Sequence, residues 1–86
     1  MKELIGATVV VDTSTSYIYI GTLAEVNADC VVLTQVDVHD RKDVEISKER
    51  YILDSRRHGV KANRDRTYIL REHVVSVSKL DDVIKF

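Results

Sequence analysis

The chain has 86 residues, 44% apolar and 31% charged, with a formal net charge of −1, one cysteine and no proline. That describes one globular domain rather than a disordered chain, with no internal disulfide and no overall basic field for nucleic acid. No apolar run reaches the ~18 residues needed to cross a bilayer and no signal-peptide pattern opens the chain, so no membrane partner is expected, and the lone cysteine makes a reducing cytoplasm the expected location. A domain of this size buries only about 60–65% of its extended surface. With disulfides excluded and no clustered metal ligands, self-association is the remaining route to extra stability.

Met1 to Gly6 has room for one helical turn at most. Thr8 to Thr13 (TVVVDT) reads as a first strand, and Ser14-Thr15-Ser16 as a turn-prone link without the glycine that a phosphate loop needs. Tyr17 to Val26 and Cys30 to Val38 then form a long hairpin, reversed at Asn27-Ala28-Asp29. Its β-branched residues suit a half-buried pleated surface. Gly21, inside the first arm, marks a bulge, a bend or a close backbone approach. Tyr19 and Leu23 share a parity that Val26 does not, which predicts a strand that changes face and curls over a core.

From about 41 to 63 the pattern turns helical. Ser47 is the expected N-cap, Gly59 the left-handed residue after the last turn, and Ile46 with Tyr51 a hydrophobic staple. Arg56, Arg57 and His58 sit at the C-terminal end, where cations complement the dipole. The apolar stripe of Tyr51, Ile52 and Ser55 is thin, which predicts a surface helix. Arg66–Leu70 and His73–Leu80 are the last strands, divided by an Arg71-Glu72 corner. Leu80, Val83 and Ile84 in the tail have helical spacing. The whole chain, 1–86, is therefore expected to be a single mainly β domain. Its fold would be a small five-stranded, strongly bent antiparallel open barrel with a helical insertion between strands 3 and 4.

Two short segments resemble the paired motifs of the Sm-like (LSm) family. Gly21-Thr-Leu23-Ala-Glu-Val26-Asn27 is similar to the first, with Asn27 where an Asp is usual. Ile69-Leu70-Arg71-Glu72-His73-Val74-Val75-Ser76-Val77 is similar to the second, with Glu72 in place of Gly. The hairpin loop length is nearer to bacterial and viral members such as Hfq. The resemblance implies an SH3-type barrel whose fourth strand pairs with the fifth of the next copy. A homo-oligomeric ring of about five to seven subunits would close the free edges. On that reading Tyr68, Ile69, Leu70, Val74, Val75 and Val77 form the oligomer interface. The family also implies single-stranded RNA as partner, with Arg71 and Asn27 as the residues that carry over. Asp29 stands where relatives stack a base, and an acid there repels phosphate.

Five cations against one acid, Arg56, Arg57, Lys61, Arg64 and Arg66 against Asp65, make a second candidate RNA surface. The competing reading is a solvated helix end that salt-bridges the acidic Val36–Asp43 segment. Arg71 has its own structural alternative, a corner residue hydrogen-bonding the carbonyls of a neighbouring subunit. Tyr68 suits either base stacking or core packing. Cys30, between apolar neighbours, reads as a small buried hydrophobe rather than a nucleophile. His39-Asp40, His58 and His73 lack ligand spacing, so no metal, cofactor or catalytic residue is expected. The expected function is an RNA-associated binding ring that is not an enzyme. The alternative is a purely structural ring-forming assembly protein with no nucleic-acid ligand.

Overall fold

The computed structural model describes residues 1–42 and 47–84. Five strands, β1 (Thr8–Thr13), β2 (Tyr17–Val26), β3 (Cys30–Asp40), β4 (Arg64–Leu70) and β5 (Val74–Lys79), form one antiparallel sheet. Helix α1 (Lys48–His58) stands between β3 and β4. The sheet order is β4-β3-β2-β1-β5. Consecutive β4 and β5 are therefore not neighbours: each is an edge. The first arm of the hairpin is as anticipated, while β3 runs two residues beyond Val38 and β4 begins at Arg64 rather than Arg66. His73 belongs to a 3-10 turn, Arg71–His73, instead of opening β5.

The bend is built at Gly21. Ile20 pairs with Asp37 and Thr22 with Thr34, so Gly21 faces two residues, Gln35 and Val36. This is a β-bulge on β3, and Gln35 takes the positive φ of 50° that it requires. A Cβ on Gly21 would lie 3.0 Å from the Thr34 carbonyl oxygen and 3.2 Å from Val36 Cα. Close backbone approach is the reason for the glycine. A second bulge follows at Ala24, between the Leu23–Leu33 and Glu25–Val32 pairs. It corrects the parity argument: Val26 does not change face, because the extra residue returns it to the cluster that holds Leu23.

Val9, Val10 and Val11 are all buried, which an alternating strand with one wet face could not achieve. Val9 and Val11 join Leu23, Val31, Leu33 and Ile69 inside the bend. Val10 faces the other way, into a second cluster with Ile18, Ile20, Ile52 and Leu80. Helix α1 is what covers that outer face. Ile52 and Ser55 are both 7% exposed, so the thin stripe is fully used and the helix is more than a surface appendage. Burial of Ile52 alone is worth about 1.5–3 kcal/mol.

Local chemistry sets the ends of the helix and the turns. The Ser47 hydroxyl accepts from the Arg50 amide at 3.2 Å, and Gly59 donates back to the Ser55 carbonyl. Gly59 has φ 90° but ψ 163°, an extended conformation at positive φ rather than the anticipated left-handed helical one. Ile46, the other half of the expected staple, lies outside the described residues. Lys48 reaches Asp12 at 2.5 Å and Tyr51 stacks on His39 with ring centroids 4.0 Å apart, pinning α1 to β1 and β3. The Thr13 hydroxyl, nearly buried, donates to the Tyr17 carbonyl at 2.6 Å, and the Arg41 guanidinium donates to the carbonyls of Thr13 and Thr15. The hydroxyl-rich link is thus a braced turn. The tail makes a 3-10 turn at Leu80–Asp82 with Leu80 buried, and Ile84 is exposed.

Two outcomes follow. Gly21→Val forces a side chain against backbone on β3, so stability measured by urea unfolding should fall by about 1–3 kcal/mol. Burial first, and the Asp37 carboxylate second, raise the Tyr51 phenol above the usual tyrosine range. A raised folded pKa contributes stability that is whole below the unfolded value of about 10 and is lost as pH climbs beyond it. Thermal melts of the protein should therefore decline above pH 10, and those of Tyr51→Phe should decline less.

Candidate functional site

The two sequence motifs meet in space. Asn27 organises the β2–β3 turn: its Oδ1 accepts from the amides of Asp29 at 2.9 Å and Cys30 at 2.8 Å. Its Nδ2 donates to Glu25 at 2.7 Å, and its own amide bonds the Cys30 carbonyl. Forty-four residues later, Arg71 donates from Nη1 to the Asn27 carbonyl at 2.9 Å, and its amide bonds the Asp29 carbonyl. Leu70 carries the chain out of β4 opposite Cys30, which delivers Arg71 to this turn. Arg71 thus bonds carbonyls of its own chain, whereas the structural alternative placed those carbonyls on a neighbouring copy. One guanidinium nitrogen is used and the residue is exposed. Asn27 is engaged throughout, while Asp29 lies exposed at the tip.

The basic cluster is contiguous in sequence but divided in the fold. Arg56 turns toward the C-terminal segment and donates to the Val83 carbonyl. Arg57 and Lys61 line a cleft of about 440 Å³ that also holds Asp37, Tyr51 and Asp54, so it is mixed in charge. Arg64 opens β4 and donates to the neighbouring Asn63 carbonyl. The ion pairs among the described residues lie elsewhere, Lys48–Asp12, Arg50–Asp54 and the N-terminus with Glu3. Arg64 and Arg71 sit at opposite ends of β4, roughly 20 Å apart at strand rise. The candidate RNA residues thus fall into two separate places, the Asn27–Arg71 corner and the divided cluster near α1.

The candidate interface residues divide as well. Ile69 is 4% exposed and belongs to the inner core, leaving only its backbone at the edge. Val74 and Val77 are half-buried against the same core. Tyr68, Leu70 and Val75 are 64%, 49% and 69% exposed, a concentration of bare apolar surface on the two strands that lack outer neighbours. Tyr68 is accordingly not packed in the core. Cys30, expected to be buried, is half-exposed on the outer side opposite Leu70. A groove of about 460 Å³ runs along β5, lined by Met1, Leu4, Arg71, Val74, Val75 and Val77.

Sequence reasoning missed three residues that shape this region. Asn63 fastens the start of β4 to β3: its Oδ1 accepts from the Val38 amide at 3.1 Å and its Nδ2 donates to the Val38 carbonyl at 3.2 Å. Met1 and Leu4 bring the N-terminal turn over the β5 groove. An asparagine just before a strand was the one visible signal for Asn63; nothing local marks the other two.

No family model matches the chain and no curated protein matches it. Among solved structures it is similar to a chain in the crystal structure of the NatC complex bound to CoA. The match has a TM-score of 0.57 at 17% identity and covers 88% of this chain and 78% of that one. The likeness is one of fold.

The Asn27 geometry sets an expectation. Asn27→Ala strips two turn amides of their acceptor at an exposed site and should lower stability by about 1 kcal/mol in denaturant titration. Asn27→Asp keeps that acceptor but faces Glu25 with a like charge, so it should fall between wild type and the alanine variant.

Proposed function

We propose that this protein is an Sm-like module that assembles with copies of itself into a closed ring and binds single-stranded RNA without catalysing a reaction. The observation that carries the reading is the sheet order. Among the described residues both edge strands, β4 and β5, are unpaired on their outer sides, and the exposed apolar residues Tyr68, Leu70 and Val75 lie on them. Open apolar edges favour strand pairing with another chain, and head-to-tail pairing that closes leaves none exposed. In such a ring the Asn27–Arg71 corner is repeated once per subunit. Cations too sparse to hold RNA singly then act together, each free guanidinium meeting one phosphate.

One observation favours the alternative, an assembly protein without nucleic acid. Asn27 is wholly engaged in its own turn and Asp29 is exposed beside Arg71, so the corner is not uniformly cationic. The similarity to a chain from a protein complex suits that alternative equally well.

Light scattering at micromolar concentration tests assembly, with an expected mass of about five to seven times the 9.8 kDa protomer. A monomer would end the reading. A labelled single-stranded RNA oligonucleotide tests the ligand. Its affinity should fall steeply as salt rises, and Arg71→Ala should weaken it by about tenfold while leaving the mass unchanged. A ring that binds no oligonucleotide at low salt transfers the conclusion to the alternative.

A further inference from the structure

Resting on the RNA reading above, we infer that the single strand is also held on the outer face of the sheet, along a row of hydroxyls that ends in Arg66 and Tyr68. Strand register lays the row out. Thr8 pairs with Thr22, Thr22 with Thr34 and Thr34 with Arg66, so one line of side chains crosses β1, β2, β3 and β4. Three strand spacings make the line about 14 Å long. Residues directly opposite in an antiparallel ladder share a face. Here it is the outer face, because the adjoining Val9, Leu23 and Leu33 all belong to the inner cluster. Tyr68 stands two residues beyond Arg66 on the same side of β4, opposite Val32.

The outer face has two halves of different chemistry. Val10, Ile18 and Ile20 form the apolar half, and Ile52 of α1 packs over it with Leu80. In the threonine half Thr8, Thr22 and Thr34 are half-exposed, Arg66 is exposed and Tyr68 is 64% exposed. The groups suit a single strand. A bare tyrosine ring offers a π-face on which any base stacks. Arg66, which is in none of the ion pairs of the described residues, is placed to meet a phosphate. Hydroxyls both donate and accept, which matches base edges and the ribose 2′-hydroxyl.

Charge favours the same occupant. At the β1 end, Thr8 lines a cleft of about 370 Å³ together with Arg56, Lys79 and Asp81, two cations against one acid. Glu25 is the acid in the neighbouring row, two strands from Tyr68 across Val32, and its carboxylate accepts from the Asn27 side chain. At the other end Arg71 follows directly on β4, so the strand joins this surface to the Asn27–Arg71 corner. Edge pairing engages the backbone of β4 while side chains stand on the sheet faces, so assembly and this contact are compatible.

Fluorescence anisotropy with a labelled, unstructured single-stranded RNA oligonucleotide tests the surface, with mass checked by light scattering. Tyr68→Leu keeps an apolar side chain but loses the ring, and should weaken binding at least about fivefold, while Tyr68→Phe stays within about twofold. Arg66→Gln should weaken binding and flatten the plot of log affinity against log salt by about 0.7. The double variant Thr22→Val, Thr34→Val removes two hydroxyls at nearly constant shape and should cost about fivefold. RNA that binds the wild type and binds Tyr68→Leu and Arg66→Gln equally well overturns this surface and leaves the corner as the RNA site. RNA that does not bind at low salt overturns both readings. Photocrosslinking of the wild type to RNA carrying 5-iodouridine is a second measure that needs no variant to fold. Mass spectrometry should find the adduct on Tyr68; crosslinks that form only elsewhere on the chain also overturn the inference.

Discussion

The structure depends on how closely the backbones of β2 and β3 approach each other at Gly21. Only hydrogen fits between that residue and the Thr34 carbonyl, and the facing bulge at Gln35 lets β3 carry one residue more than its partner across the bend. A hairpin of straight arms would bury one face along its length. Bent here, it wraps Leu23, Val26, Val31, Leu33 and Val36 into one interior. The Ala24 bulge then keeps Val26 in register with that interior.

Curvature solves one packing problem and creates another. The convex side of β1 and β2 carries Val10, Ile18 and Ile20, which among the described residues pack with α1 and the C-terminal turn rather than with another strand. Helix α1 and the C-terminal turn at Leu80 supply the cover, and the Lys48–Asp12 pair and the Tyr51–His39 stack hold the helix in place. The edges remain open because the 3-10 corner at Arg71–His73 sends β5 across the barrel to β1 rather than back along β4. Arg71 fastens that corner to the Asn27 turn.

Most of this architecture was legible in the residues. Period, turn composition and helix punctuation placed β1, β2 and α1, and the unusual Gly21 correctly signalled close approach. Three features were not legible. The parity of Val26 looked like a change of face because a bulge adds a residue without leaving a local signature. The cluster from Arg56 to Arg66 looked like one surface, yet a helix end followed by a reversing segment points successive cations in different directions. Tyr68 and Ile69 are both apolar strand residues; only the register with β3 decides that Ile69 is core and Tyr68 is bare.

The pairing of β5 with β1 has a kinetic consequence. Val11 and Val77 are neighbours in the sheet although about three quarters of the chain separates them, whereas β2 and β3 meet through a turn of a few residues. Closing the larger loop costs chain entropy before any contact rewards it. The bent hairpin is therefore the natural nucleus, and β5 docks late. Since β5 follows the other four strands in the chain, β1 to β4 emerge from the ribosome before the strand that completes the sheet beside β1.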